Sequence, residues 1–497
     1  MRKLGWTAYW AAVCVLLWAG LTRGHNWGDD FATYILQARS ILQGTPSEFV
    51  ETNRFTILAS TYVIGPIAAP WGVPLLLSIP YAFFGLDMVA LKVVNVVCYV
   101  LFLLTLWRGF RRQHSPFWVF VLVSLFAVNP SFQSIFMNRV LSDIPFLFLS
   151  TLSVLFMGRV VIERRRFIGP AVDHALLGLV MAAAFFVRAN GGLLVLTLAV
   201  TQLLRAVQDQ RARIETPGAV RYPLAMQALP YVSFAVVVVT WQMIFPQAEY
   251  VPPSTPMSLR GVWRNLYYYI DLPGEFFAGV PLTRVLYGAT VPLAAIGIFN
   301  RLASSYHMVV YGVVTLVLYV LWPETNGLRY LFPLLPIYMS FVISGLETGA
   351  TDVRAWRGRV WAAVRVGPVL VILLYFAALS VGAAIRNSTG RTGEEPGPYT
   401  AASRELFSFI ANNTDPHSVI VFFKPRALRL FTGRSSVLIA RADRLGVGDY
   451  VCLYLRQDHP NQLPREVIGT LRESGALVPV YRNADFECLA IRKAPSG

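Results

Sequence analysis

The chain has 497 residues, 55% of them hydrophobic and only 14% charged, where a soluble globular protein carries about 25% charged residues. The apolar residues are blocked into runs of membrane-spanning length, which excludes an ordinary soluble fold. The formal charge of +16 sits largely in short basic clusters between those runs. It reads as membrane topology, and with no nucleic-acid-binding motif beside any basic stretch, nucleic acid is excluded as a partner.

The first apolar run, 4–22, follows Arg2 and Lys3 and carries no small-residue cleavage site, so it reads as a retained helix rather than a signal peptide. Further runs at 86–107, 116–137, 141–162, 174–188, 190–205, 225–245, 280–299, 308–322, 331–347 and 368–385 predict about eleven transmembrane helices. The basic clusters test that count. They are Arg2 and Lys3; Arg108, Arg111 and Arg112; Arg164, Arg165 and Arg166; Arg205, Arg211, Arg213 and Arg221; and Arg354, Arg357, Arg359 and Arg365. With eleven spans, all fall on the side of the N-terminus, which the positive-inside rule makes cytoplasmic. A bacterial inner membrane fits the Arg- and Ala-rich composition.

Between the first two spans, residues 23–72 form a long external loop. Its stretch from Gly28 to Gly44 places Phe31, Tyr34, Ile35, Ala38, Ile41 and Leu42 at helical spacing, with Asp as a natural start and Gly44 as a natural stop. This predicts an amphipathic helix in the outer membrane interface. Asp29 and Asp30 stand at its beginning. On one reading, one of them caps the helix and the other complements its dipole, together worth about 1 kcal/mol; on the other, a carboxylate held at the bilayer surface is placed to act as a general base. Residues 73–85 are apolar but too short to cross, and Pro74 and Pro80 point to an interfacial or re-entrant piece.

Residues 174–205 hold two spans in fewer than the roughly 40 residues that two full crossings need. The hairpin tip would then lie below the surface, where Arg188 costs about 2.5–3.5 kcal/mol unless paired or hydrated. It either pairs with an acid such as Asp143 or receives an anionic lipid phosphate. Arg329 poses the same choice in a short external turn, with Glu324 as the alternative partner. Lys92, about two turns into the second span, is a lesser candidate that can snorkel outward. The second external loop, 246–279, carries Trp263, Tyr267, Tyr268 and Tyr269; an interfacial aromatic belt is the default reading, with sugar stacking as the alternative. His25 lies beside the aspartates, but no metal-ligand spacing is present, so no metal is predicted. No Gly-rich nucleotide loop occurs either.

From Arg386 the composition changes. Residues 386–400 read as a linker between a membrane domain, 1–385, and a small extracytoplasmic α/β domain, 401–497. The pattern there is a helix near 401–413, a strand at 419–423, a helix near 425–432, strands at 437–439 and 450–455, a helix near 462–474, and strands near 477–481 and 486–492. Cys452 and Cys488 fall on two of these strands. A disulfide between them is possible in an oxidising compartment.

Asp30 followed four residues later by Tyr34, opening the first external loop, resembles the Asp-Glu-x-x-Tyr pattern of the type C glycosyltransferases that use polyprenyl-phosphate sugars, a group that includes protein O-mannosyltransferases and lipid A aminoarabinose transferases. Phe31 replaces the Glu, and Asp29 precedes rather than follows; spacing favours Asp30 over Asp29 as the base. Phe84-Gly85, Ser142-Asp143, Arg188-Ala189-Asn190-Gly191 and Arg329-Tyr330-Leu331-Phe332-Pro333 resemble further family segments in order and sidedness. The resemblance covers roughly residues 1–385. It implies transfer of a sugar from a polyprenyl-phosphate donor to a hydroxyl of a glycan, lipid or protein acceptor on the external face, inverting the anomeric centre. It also implies substrate contacts from Tyr34, Asp143, Arg188, Asn190, Arg329 and Tyr330. The rival class is a transporter or lipid flippase, which needs polar residues through the middle of several spans. A ligand sensor would not need eleven spans.

Overall fold

The computed structural model describes residues 2–215, 223–251, 257–348, 355–390, 395–456 and 458–492. The basic residues Arg221 and Arg354, residues 252–256 of the second loop and residues 391–394 of the linker lie outside the described residues. The membrane part runs α1 (Arg2–Ala19), α2 (Asp30–Gln43), α3 (Pro46–Leu58), α4 (Gly72–Phe84), α5 (Met88–Phe110), α6 (Pro116–Ala127), α7 (Asp143–Met157), α8 (Pro170–Val187), α9 (Leu193–Glu215), α10 (Leu224–Ile244), α11 (Leu259–Asp271), α12 (Thr283–Leu321), α13 (Leu335–Glu347) and α14 (Ala355–Ser388). By length and composition, seven described helices can cross a membrane, and four shorter apolar helices accompany them.

Each of the eleven predicted runs contains a helix, although the run at 116–137 leaves α6 at Ala127 and ends in a separate π-helical turn at Phe132–Phe136. Two of them, 280–299 and 308–322, share α12, whose 39 residues would extend about 58 Å if straight, about twice a hydrocarbon core. The helix breaks at the buried Ser305 (φ −128°, ψ 18°). The break lets its halves take different partners. Gly297 packs against the backbone of Phe341 in α13, while His307 lies over Gly158, where α7 passes into a π-helical turn.

One end of the bundle collects basic loops. Arg112 pairs with Glu163 at 3.8 Å, Arg301 donates to the Gln113 carbonyl, and Glu347 takes His114 Nδ1 at 2.7 Å and Arg301 at 3.3 Å. The loops around Asp30, Asp143, Arg188 and Arg329 meet at the opposite end.

There the first loop departs from its predicted form. α2 is capped by Gly44 at φ 71°, as its sequence demands, but most of its polar residues between the two ends do not face water. Thr33, Gln37 and Ser40 are buried with the apolar residues, and Gln37 donates to the Ala69 carbonyl at 3.0 Å. The reason is that α4 covers one side of it and the chain's C-terminal part the other. α3, which the sequence reading left inside a loop, begins at Pro46, a residue suited to the first helical turn. α4 keeps Val73 and Leu77 inside and leaves Ile79, Phe83 and Phe84 exposed. An Ala68–Glu249 bridge and an Arg54–Glu249 ion pair at 2.6 Å join the first and second long loops.

The C-terminal part comprises α15 (Ala401–Asn413), β1 (Val419–Val421), α16 (Pro425–Thr432), β2 (Ser435–Val437), β3 (Tyr450–Tyr454), α17 (Arg465–Glu473), β4 (Leu477–Arg482) and β5 (Phe486–Ile491). Its sheet is ordered β2-β1-β3-β5-β4, parallel among the first three strands and antiparallel at β3–β5 and β5–β4. Cys452 and Cys488 are directly opposite on β3 and β5 and form a disulfide. This unit is docked onto the first loop. Trp27 inserts among Phe407, Phe422, Phe423 and Phe486, and the Thr61 amide donates to the Leu438 carbonyl at 2.7 Å.

Candidate active site

Five pieces of chain converge at the end of the bundle opposite the basic loops: the start of α2, the start of α7, the turn between α8 and α9, the turn at 327–330 and the start of α16. Asp143, the first residue of α7, is almost wholly buried. Its carboxylate accepts from Arg329 Nε at 3.1 Å through each oxygen, approaches Arg329 Nη2 at 3.0 Å, and accepts from Arg188 Nη1 at 2.9 Å. Two guanidiniums on one carboxylate leave a formal charge of +1, in a place with little water to screen it. The carboxylate holds the Arg329 guanidinium well above its ordinary pKa, against the opposing effect of burial.

Arg188 ends α8 in extended conformation (φ −155°, ψ 130°), and residues Ala189–Gly192 form a single 3-10 turn before α9. Gly191 is required there, because a Cβ would collide with the Phe185 backbone. The Arg188 guanidinium stands 5.3 Å from the Tyr330 ring centre and 5.9 Å from that of Phe146. Tyr330 stacks on Tyr319 at 4.6 Å, and Asn190 donates to the Tyr319 hydroxyl at 3.0 Å. α8 and α9 span 18 and 23 residues, longer than the apolar runs alone because α9 continues into the charged stretch from Arg205. Of the two alternatives for Arg188, the ion pair with Asp143 is present.

The two aspartates part company. Asp29 is buried, 3.3 Å from Arg426 Nε, and accepts from the Ala427 amide at 3.3 Å. It occupies the N-cap position of α2, yet its side chain makes no cap there; it meets the first turn of α16 instead. Burial pushes its carboxyl above the ordinary range, outweighing the pull of Arg426. Asp30 keeps a side chain 45% exposed, with Oδ2 3.8 Å from Arg329 Nη1 and Oδ1 3.7 Å from Arg426 Nη2. Tyr34, one turn along α2, is buried, and burial, reinforced by Asp30, raises its phenol above the usual value.

Asp30, Tyr34, Asp143, Arg188, Asn190, Arg329 and Tyr330 are therefore in one neighbourhood, whereas Asp29 turns toward the C-terminal unit and Phe84-Gly85 lies apart, at the exposed end of α4. Arg329 forms no ion pair with Glu324 among the described residues. Lys92 does not snorkel: its buried ammonium donates to the Thr22 carbonyl (2.8 Å), the Thr22 hydroxyl (2.8 Å) and the Gly24 carbonyl (2.6 Å). The tyrosines of the second loop divide by helix face. Trp263 and Tyr267 point outward from α11 with Leu259 and Ile270, whereas the Tyr268 hydroxyl accepts from the Gly327 amide at 3.1 Å and Tyr269 packs on Tyr319. Among the described residues no group of three or more His, Cys, Asp or Glu side chains is arranged to hold a metal ion.

Three residues escaped the sequence reading. Arg139, half-buried near Arg329, has its pKa lowered by burial and by that neighbouring charge; its position four residues before Asp143 at a span end was a usable signal. Tyr319 carried no signal beyond an apolar helix. Arg426 carried none, since it belongs to a helix of the C-terminal unit.

No family model matches the chain, and no curated protein matches it by sequence. Its fold is shared with solved structures. ArnT from Cupriavidus metallidurans in the apo state is 13% identical, with 99% of this chain and 98% of that chain covered, at a TM-score of 0.59. The same protein bound to undecaprenyl phosphate is 12% identical over 99% of each chain, also at 0.59. The archaeal oligosaccharyltransferase AglB from Archaeoglobus fulgidus, in complex with an inhibitory peptide and a dolichol-phosphate, is 11% identical over 87% of this chain and 64% of that chain, at 0.50. At the level of fold, these neighbours agree with the resemblance carried by Asp30, Tyr34 and the later motifs.

Proposed function

We propose that the chain is a membrane glycosyltransferase that moves a sugar from a polyprenyl-phosphate donor to an acceptor hydroxyl at the external face of a bacterial inner membrane. The observation that carries this reading is the juxtaposition of the half-exposed Asp30 with a cationic centre built on the buried Asp143. The fold shared with an ArnT bound to undecaprenyl phosphate supports a polyprenyl-phosphate ligand. The Cys452–Cys488 disulfide supports an oxidising compartment for the C-terminal unit.

In this reaction Asp30 takes the proton of the acceptor hydroxyl as its oxygen bonds to the anomeric carbon. The bond from that carbon to the phosphate oxygen breaks, and the polyprenyl phosphate leaves with the electron pair. A single displacement inverts the anomeric centre. Arg188 and Arg329, fixed by Asp143, stabilise the negative charge growing on the phosphate, and Arg139 stands close enough to add to the field. Tyr330 and Asn190 fix the wall beside Arg188, and Tyr34 backs Asp30. Asp29 anchors the C-terminal unit rather than serving as base.

The test is transfer in membranes supplied with a panel of polyprenyl-phosphate sugars. Loss of a general base costs roughly 10²–10⁴ in rate. Asp30→Asn should lose transfer on that scale while still inserting and binding the lipid. A native rate in Asp30→Asn would sink the mechanism. Failure of the native protein to consume any donor would favour the transporter reading instead.

A further inference from the structure

Among the described residues no other arginine is buried as completely as Arg426. It is the second residue of α16 and belongs to the C-terminal unit, yet its guanidinium lies within the first external loop. It donates through Nη2 to the Ile64 carbonyl and lies against Gly65, whose φ of 120° and missing side chain leave it room. Nε is 3.3 Å from Asp29 and Nη2 is 3.7 Å from Asp30. Nε and Nη1 have no hydrogen-bond partner among the described residues although both are buried. A buried charge this incompletely satisfied is a poor way to dock a helix, because an apolar side chain of similar volume does so without the desolvation penalty.

The position explains the charge better than stability does. Asp30 has one oxygen toward Arg329 of the membrane part and the other toward Arg426 of the C-terminal unit. Asp29 neutralises Arg426 from the other side, so the guanidinium stays beside Asp30 without pairing fully to it. The doubled Asp29-Asp30 thus gains a reason that helix capping does not supply.

We propose that Arg426 is a positioning residue for the transfer reaction: the docked C-terminal unit inserts its guanidinium between Asp29 and Asp30, aims the Asp30 carboxylate at the reacting groups, and is thereby part of the active site. This rests on the glycosyltransferase reading. A misplacement of about 1 Å at a reacting group costs about 10²-fold in rate, and that is the effect expected here.

The experiment compares the full-length native protein, Arg426→Gln and Arg426→Lys in lipid nanodiscs, with a polyprenyl-phosphate sugar that the native protein consumes. Arg426→Gln should lower kcat about 10²-fold with KM for the donor within about twofold. Arg426→Lys, which keeps the charge but not the fork, should recover part of the loss. If Arg426→Gln does not fold, Asp29→Asn with Arg426→Met leaves no unpaired charge, and the same loss of kcat is expected. Either folded variant turning over at the native rate overturns the proposal and leaves the glycosyltransferase reading intact. Equal losses in kcat and donor binding, with no recovery by lysine, would also overturn it, as a purely structural role would give that result. A native protein that consumes no donor overturns both.

Discussion

Arg329 grips both oxygens of Asp143 from 186 positions away in the chain, with Nε 3.1 Å from each. The same carboxylate holds Arg188, so two cations from separate turns are oriented by one buried anion. That is why the site does not depend on its loops alone for its shape.

Asp143→Asn should therefore damage the fold as well as the reaction. It leaves two confined guanidiniums facing one another without their anion, and breaking a buried pair in this way costs about 3–5 kcal/mol. Thermal unfolding in detergent should show a clear fall in midpoint, with transfer abolished. An unchanged midpoint would mean that water replaces the carboxylate and that Asp143 organises nothing.

Arg188→Gln should weaken binding of polyprenyl phosphate roughly 10–100-fold, the worth of one hydrogen bond to a charged group. Displacement of a fluorescent polyprenyl phosphate measures it. Arg159→Gln is the control, because Arg159 lies at the other end of the bundle, donating to the Arg166 carbonyl at 2.9 Å. Equal losses in both would point to non-specific charge attraction.

Lys92→Met should cost at least about 2 kcal/mol of stability, because it strips the donor from two carbonyls and a hydroxyl in the Thr22–Gly24 turn. Donor affinity should stay within about twofold of native. A selective loss of donor binding would restore Lys92 as a substrate ligand.

His25 gives the pH dependence. Burial is the main force lowering its pKa from the ordinary 6.5 to about 3, against a hydrogen bond to the Asn26 carbonyl. Its Nε2 accepts from the Val140 amide at 3.1 Å, so the native ring is neutral. Between pH 6.5 and about 3 the unfolded chain binds the extra proton. Stability is therefore full above 6.5 and falls as the pH drops through that window, by about 1.4 kcal/mol per unit. His25→Gln should be less stable than native at pH 7 and lose less on acidification. Parallel pH profiles for the two proteins would refute the assignment.

Much of this architecture was readable before any coordinates. Run lengths located the apolar helices, because a bilayer imposes a minimum length and a lack of charge that few other environments demand. Alternating patterns and turn residues located all five strands and all three helices of the C-terminal unit to within a few residues. Asp30, Tyr34, Asp143, Arg188, Asn190, Arg329 and Tyr330 were singled out as a set through the motifs of the resemblance, and the fold brings them into one neighbourhood.

Tertiary structure alone decided which groups pair. Local composition cannot say that Arg329 takes Asp143 rather than Glu324, since an ion pair depends on which turns the helices bring together, and both acids lie near span ends. Nor can it say that Asp29 serves α16 or that α2 is covered on its polar face. Those outcomes follow from docking a unit about 400 residues further along the chain, and no periodicity within either segment encodes that distance. Sequence by itself determined where the chain is apolar, where it turns and between which apolar runs its charges fall. Packing determined which of those charges stay exposed, as Asp30 does, and which are buried against their partners, as Asp143 is.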